Sequence, residues 1–236
     1  QDMTLADMEV DGKQRKVIMQ APKNGFFYVI DRSNGELLRA HPYVQTTWAS
    51  HVDMETGRPV ENKELDYSDR AQWILPGPLG GHDWQAMSFD EKKGVVYIPA
   101  QDAPWLYSVD AEYKATGLYK PNPGTLNLGQ DLANSSFLAA KYADEQPASK
   151  GYLKAFDPLT GEDLWSVDHV HYWNSGVLAT EGGLVFQGDG LGYLSAFDTD
   201  TGDKLWTFNT YISMLAPPVT YEIDGEQYVA ILAGTG

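Results

Sequence analysis

The sequence predicts an all-β fold and, within that class, a β-propeller. Residues 151–165 (GYLKAFDPLTGEDLW) return as residues 192–206 (GYLSAFDTDTGDKLW), so Trp206 follows Trp165 by 41 residues. A period of this length is typical of one four-stranded propeller blade. The chain also holds 7 Trp, 14 Tyr, 8 Phe and 23 Gly. With few helical stretches, this composition favours strands that are joined by tight turns.

The strand patterns indicate about four blades, taken in chain order. Strands at 16–20 and 26–30 flank a Lys-Asn-Gly turn and, with 36–39, form the first blade. Residues 84–89 and 95–99 begin a second blade, which 106–109 continue. The repeat at 151–165 opens a third, which is followed by strands at 176–180, 184–187, 193–197 and 206–208. A hairpin within 216–232 begins one more blade.

Two polar segments, at about 41–80 and 110–149, interrupt the strand pattern. The first carries four prolines, and the second contains an alanine-rich stretch for which we expect a short helix near 139–144. Long connections of this kind are usually functional or disordered. We therefore expect a single partial propeller domain over residues 1–236, with two long excursions.

Composition excludes several classes of function. The chain has 17 Lys and Arg against 33 Asp and Glu, a net charge of −16, so nucleic acid is not an expected partner. With no cysteine, it has no disulfide, no thiolate metal site and no CxxCH haem attachment. No apolar run is long enough for a transmembrane helix.

The repeat itself is expected to be structural. In each copy the aspartate side chain caps a turn by accepting from a backbone amide two residues on. The glycine supplies a positive φ, and the tryptophan offers a flat face to the neighbouring blade. These residues are Asp157, Gly161 and Trp165 in the first copy and Asp198, Gly202 and Trp206 in the second.

Both copies resemble the tryptophan docking motif of the pyrroloquinoline quinone (PQQ)-dependent alcohol dehydrogenases, a family with an eight-bladed propeller. Three further regions are similar to this family more specifically. They are residues 19–32 (MQAPKNGFFYVIDR), 80–88 with 94–99 (GGHDWQAMS and GVVYIP), and 173–180 with 183–188 (WNSGVLAT and GLVFQG). Together they span nearly the whole chain and match the C-terminal half of the family's propeller, about four blades of eight.

The resemblance implies oxidation of a primary alcohol to an aldehyde with PQQ as cofactor and a cytochrome c as electron acceptor, in the periplasm. It places the calcium or lanthanide ion and the catalytic aspartate base in the missing N-terminal half of the propeller. A haem c, where the family has one, lies in a separate domain. We therefore expect the 236-residue piece alone to be inactive.

The resemblance also assigns site residues. Lys23 matches the family's basic residue beside the quinone carbonyls, where an ammonium stabilises the negative charge that develops on reduction. Trp173 and Asn174 match a cofactor-lining segment, and Asp83-Trp84 matches a segment that usually reads Asn-Trp. An ionised Asp83 cannot donate a hydrogen bond. It suits an anionic cofactor only when it is protonated or paired with Lys23.

Other interpretations stay open from the sequence. Lys23 is also an ordinary hairpin-turn lysine, and Trp173 and Asn174 are also a core tryptophan and a turn asparagine. The protein could be a non-enzymatic propeller scaffold for protein–protein interaction, or a PQQ enzyme acting on a polyol or another alcohol. His169 and His171 could together bind a transition metal, but without a third ligand nearby we expect a solvated pair and no metal ligand in this chain.

Overall fold

The computed structural model describes residues 1–118, 120–121, 123 and 128–234 of the chain. The described strands form three four-stranded sheets and three two-stranded sheets. Neighbouring strands within each of these sheets are antiparallel. Each four-stranded sheet is one blade. The all-β prediction and the partial propeller are therefore confirmed, with three complete blades and one further hairpin.

The first blade is built from four consecutive strands. They are β1 (Thr4–Val10), β2 (Lys13–Gln20), β3 (Phe26–Asp31) and β4 (Leu37–Pro42). Strands β1 and β2 meet at Asp11-Gly12, where φ is 53° and 73°. Positive φ at both central residues is what a two-residue type I′ hairpin requires. The turn between β2 and β3 carries Lys23.

The second blade contains an insertion that separates its two halves. Between the first blade and this one lie β5 (Ala49–Asp53), β6 (Arg58–Glu61), a 3₁₀ helix (Lys63–Leu65) and β7 (Gln72–Ile74). The blade then starts with β8 (Ser88–Asp90) and β9 (Val95–Asp102). The insertion follows, with β10 (Trp105–Tyr107), α1 (Ala111–Thr116), α2 (Ser135–Lys141) and a 3₁₀ helix (Ala143–Glu145). The blade is completed by β11 (Lys150–Phe156) and β12 (Asp163–His169).

This arrangement corrects two sequence-based expectations. Residues 84–99 and 151–165 do not belong to different blades, because Gly151 pairs with Gln101 and Phe156 with Val96 across β9 and β11. Residues 106–109 do not continue the blade either, since β10 pairs with β7 in the 41–80 excursion. Part of the 110–149 excursion (119, 122 and 124–127) lies outside the described residues.

The third blade again has four consecutive strands, and a hairpin follows it. The strands are β13 (Val177–Thr180), β14 (Leu184–Gly188), β15 (Tyr193–Asp198) and β16 (Lys204–Asn209), and the hairpin is β17 (Val219–Ile223) with β18 (Glu226–Ala230). The hairpin turn at Asp224-Gly225 repeats the type I′ pattern, with φ of 52° and 81°. No helix among the described residues has the length and apolarity that crossing a membrane requires.

The hydrophobic core lies between blades. Strand β9 is buried at all eight positions because neighbouring blades cover both faces of its sheet. Between the first and second blades, Phe27 packs on Phe156 with ring centroids 5.2 Å apart. Between the second and third, Tyr97 and Leu153 belong to the same buried cluster as Phe197. Blade stacking therefore supplies most of the burial.

The repeat residues make the expected turn contacts and also link the blades. Asp157 accepts from the amide of Leu159, and Asp198 from that of Asp200, each at 2.8 Å. The aspartate capping prediction is thus confirmed.

Between the second and third blades, Trp165 lies against the turn of the second repeat copy. Its Nε1 donates to the carbonyl oxygen of Thr199 at 3.0 Å. A Cβ at Gly202, where φ is +74°, would lie 2.8 Å from the indole ring. Only glycine allows this approach without strain. In the first blade His41 takes the corresponding place, with its ring against Gly161.

We expect Trp165→Ala to destabilise the protein by about 2–4 kcal/mol, because it removes a large packed ring and the bond to Thr199. Equilibrium unfolding in urea measures the change in free energy of unfolding. Trp165→Phe keeps a ring but loses the donor, so its loss should be clearly smaller. An unchanged urea midpoint for Trp165→Ala would contradict the inter-blade role.

His169 and His171 do not form the solvated pair that the sequence suggested. His171 is exposed, whereas His169 is partly buried at the end of β12. Its Nε2 lies 2.8 Å from Oε1 of Gln187 in the third blade. The side-chain Nε2 of Gln187 donates to the carbonyl oxygen of Ser175, which identifies Oε1 as the acceptor. His169 therefore donates to Oε1 of Gln187. Burial lowers the pKa of His169, although the bond to Gln187 opposes that effect.

The lowered pKa of His169 predicts a loss of stability in acid. The unfolded chain binds a proton near the ordinary histidine pKa of about 6.5, whereas the folded chain binds it only at lower pH. The free energy of unfolding should therefore fall as pH drops below about 6.5. Urea titrations at pH 8 and 5.5 measure this loss. His169→Gln should show a smaller pH dependence than the wild type, and an identical dependence would exclude the assignment.

Candidate functional site

Lys23 lies in the β2–β3 turn and forms an ion pair with Asp83. Its Nζ lies 3.1 Å from Oδ2 of Asp83 and donates to the carbonyl oxygen of Pro78 at 3.0 Å. The Lys23 side chain is 45% exposed and that of Asp83 is 16% exposed. The ammonium is therefore held by two neighbours and remains accessible to a ligand. The structure shows the pairing that makes an aspartate at position 83 compatible with an anionic ligand.

The Lys23 turn is held by close backbone packing. A Cβ on Gly80, where φ is +78°, would lie 2.6 Å from the Cα of Lys23, so no other residue fits there without movement. The amide of Gly81 donates to the Lys23 carbonyl oxygen at 3.2 Å. On the other side, the hydroxyl of Tyr43 donates to the carbonyl oxygen of Pro22 at 2.7 Å. Sequence reasoning did not identify the bracing roles of these residues, which depend on contacts between distant segments.

Tyr43 is a neutral, fully buried donor to this turn. Burial, and secondarily the nearby charge of Asp83, raise the pKa of the Tyr43 phenol well above its usual value. The hydroxyl therefore keeps its proton throughout the physiological range and continues to donate to Pro22.

Trp84 and Trp173 form an aromatic pair beside the ion pair. Their ring centroids are 6.3 Å apart and the ring planes are inclined at 67°, an edge-to-face arrangement. Trp84 is about half exposed. The segments that carry the two residues are joined by a hydrogen bond from the amide of Val177 to the carbonyl oxygen of Ala86 at 2.8 Å. The structure thus brings the 83–84 and 173–174 segments together.

The Asn174 side chain is engaged in its own loop. It is buried, its Nδ2 donates to the carbonyl oxygen of His171 at 2.7 Å, and its Oδ1 accepts from the amide of Gly190 at 3.2 Å. These bonds fix the loop that presents Trp173. One Nδ2 hydrogen remains for another acceptor.

A mostly apolar cavity of about 360 Å³ adjoins Lys23. Its walls come mainly from the 41–80 excursion, with Trp48 and Tyr67, and from Tyr107 on β10. Its lining includes none of Asp83, Trp84, Trp173 and Asn174, which lie outside it. The rings of Tyr67 and Tyr107 lie 5.4 Å apart, and burial raises the pKa of Tyr107. This cavity was not predicted from the sequence, where Trp48, Tyr67 and Tyr107 are aromatic residues without a strand pattern to relate them. Within the described ranges, no three His, Cys, Asp or Glu side chains form a cluster suited to a metal ion.

An apolar cavity beside a half-exposed ammonium suits an organic ligand that carries negative charge at one end. The ammonium can stabilise charge on a ligand oxygen, while the aromatic side chains offer apolar surface to the rest of the ligand.

Comparison with known proteins agrees with this fold. The family model described as "Outer membrane protein assembly factor BamB" matches residues 149–228, which include both copies of the repeat. Quinohemoprotein alcohol dehydrogenase ADH IIB of Pseudomonas putida is 43% identical over 242 residues, covering 100% of this chain and 32% of that protein. The 1-butanol dehydrogenase (cytochrome c) of Thauera butanivorans is 39% identical, covering 100% of this chain and 33% of that protein.

A solved structure shows the same correspondence in three dimensions. The quinohemoprotein alcohol dehydrogenase ADHIIG of Pseudomonas putida HK5 superposes with a TM-score of 0.88 at 41% identity, covering 100% of this chain and 34% of that one. The chain thus spans about a third of the length of the relatives it matches. On its repeats, its blades and these similarities over its full length, the chain resembles about a third of the length of the quinohaemoprotein alcohol dehydrogenases.

Proposed function

We propose that the protein containing this chain is a PQQ-dependent alcohol dehydrogenase that oxidises primary alcohols to aldehydes. The observation that carries the proposal is the Lys23 ammonium, half exposed and fixed between Pro78 and Asp83 beside a cavity. Curated relatives that are 43% and 39% identical to this chain are named as a quinohemoprotein alcohol dehydrogenase and a 1-butanol dehydrogenase (cytochrome c).

Lys23 is proposed as the catalytic residue of this chain. When bound, PQQ would supply a quinone able to accept hydride from the alcohol. The ammonium of Lys23 would stabilise negative charge on a cofactor oxygen, and it is already oriented by its bond to Pro78. Asp83 helps to hold that orientation through the 3.1 Å ion pair.

The other predicted site residues line the cofactor in this proposal. Trp84 and Trp173 offer aromatic surface and indole N–H donors to a flat anionic ring system. Asn174 fixes the loop that carries Trp173 and keeps one hydrogen for the cofactor. The residues present on this side of the site therefore fit PQQ in aromatic surface and in hydrogen-bonding capacity, and Lys23 adds a cation that is paired with Asp83.

The remaining parts of the enzyme lie outside these 236 residues in this proposal. They are the other blades of an eight-bladed propeller, the calcium or lanthanide ligands, the catalytic aspartate base and a haem c domain where one exists. A cytochrome c accepts the electrons, and the net charge of −16 suits a basic partner of that kind. The location proposed is the periplasm. The Trp165 and Trp206 segments act as the docking motif between blades.

Two alternatives remain distinguishable by experiment. The family model that matches residues 149–228 bears the name of an outer-membrane assembly factor, which favours a non-enzymatic scaffold as the second candidate. A PQQ enzyme that acts on a polyol or another alcohol is the third. A panel of substrates separates a primary-alcohol dehydrogenase from an enzyme that acts on a polyol or another alcohol. Binding of PQQ separates both enzymes from the non-enzymatic scaffold.

The decisive measurement is titration of the full-length protein with PQQ and calcium, followed by dye-linked oxidation of primary alcohols. We expect stoichiometric quinone absorbance and turnover. The isolated 236-residue chain should show no turnover, because the metal ligands and base are proposed to lie elsewhere. Absence of both quinone absorbance and turnover in the full-length protein would overturn the enzyme assignment. Turnover by the isolated chain would overturn the proposal that the metal ligands and the catalytic base lie outside these 236 residues.

We expect Lys23→Ala in the full-length enzyme to lower kcat roughly hundredfold at saturating PQQ, because a charge-stabilising donor is lost. Steady-state dye reduction measures the effect. Lys63→Ala is the matched control, since Lys63 pairs with Glu61 on an exposed surface and should change little. Asp83→Asn retains an acceptor for Lys23 and should keep most of the activity. Equal rates for the Lys23 and Lys63 variants would refute the role.

A further inference from the structure

His82 is a fully buried histidine that bridges two segments of the candidate site. Its side chain is 0% exposed. Nδ1 lies 2.8 Å from the carbonyl oxygen of Ala21, and Nε2 lies at hydrogen-bond distance from the carbonyl oxygen of Gln85. Each nitrogen therefore faces an acceptor in a different part of the chain.

The two acceptors flank the proposed cofactor contacts. Ala21 precedes Lys23 by two residues, and Gln85 directly follows Asp83 and Trp84. The ring thus ties the Lys23 turn to the loop that carries its ion-pair partner. The hydrogen bond from the amide of Gly81 to the Lys23 carbonyl oxygen joins the same two segments.

Both bonds require a particular form of the ring. A carbonyl oxygen only accepts, so each ring nitrogen that bonds one of these oxygens must carry its hydrogen. An acidic group also faces the ring, since Oδ1 of Asp2 lies 4.0 Å from Nε2. That oxygen is buried without a hydrogen-bond partner among the described residues, while Oδ2 accepts from the amide of Met87.

We propose that His82 is a positioning residue that sets Lys23 against Asp83 and Trp84. The ring touches no proposed ligand and acts through the backbone on either side of those residues. An amide side chain carries both of its N–H donors on one nitrogen, so it does not reproduce contacts made from two separate ring nitrogens. This inference rests on the proposed function only where it concerns cofactor affinity, since the bridge itself is present in the chain.

The test compares His82→Gln with His41→Gln in the full-length protein. His41 is also an inter-blade histidine that faces a carbonyl oxygen, that of Leu159 at 3.2 Å, but it lies outside the candidate site. We expect His82→Gln to weaken PQQ binding about tenfold, and His41→Gln to leave it unchanged. Each variant is also made in a Lys23→Ala background. In that background, His82→Gln should weaken PQQ binding less than about threefold, because the Lys23 side chain through which His82 acts is already absent.

Hydrogen–deuterium exchange gives a measurement that does not depend on PQQ. In His82→Gln, peptides covering 20–25 and 79–86 should both exchange faster, whereas in His41→Gln neither should change. A loss of affinity that is equal with and without Lys23, or exchange that accelerates in neither peptide, overturns the positioning role. If the wild-type protein binds no PQQ, the proposed function fails, and the exchange result alone decides the role of His82.

Discussion

Burial of each blade depends on its neighbours, because a four-stranded sheet cannot cover its own two faces. Strand β9 shows this, since it is buried along its whole length only through contact with the first and third blades. The same constraint explains the exposed aromatic rings at the end of the array. Trp206 and Phe208 are stacked on β16 and about half exposed, at the place where Trp165 has a blade to pack against. An array of three blades thus keeps an apolar face that a further blade can cover.

The site is a product of this stacking. Lys23 belongs to a turn of the first blade, Asp83 and Trp84 to the segment entering the second, and Trp173 to the segment entering the third. Backbone hydrogen bonds join each segment to the next, from Gly81 to Lys23 and from Val177 to Ala86. Side chains that are distant in the sequence therefore meet, Lys23 with Asp83 and Trp84 with Trp173, without any helix or sheet to connect them directly.

The sequence predicted what depends on local pattern and missed what depends on contacts between segments. The 41-residue repeat indicated blades correctly, because capping aspartates and positive-φ glycines act within one turn. The prediction that residues 84–99 and 151–165 belong to different blades was wrong. An insertion after Asp102 separates β9 from β11 in the sequence, although the two strands pair in one sheet. His82 could be found only from structure, since its partners Ala21 and Gln85 are defined by packing.

The ion pair at the centre of the site leaves Lys23 able to bind a ligand. An ammonium has three N–H groups, of which one is used by the carbonyl oxygen of Pro78. Asp83 lies on one side and leaves nearly half of the lysine side chain exposed. Such a pair contributes little to stability in water, but it strengthens when a bound ligand excludes solvent. Asp83 therefore fixes the direction of the ammonium, and the remaining N–H can reach a ligand oxygen without breaking the existing contacts.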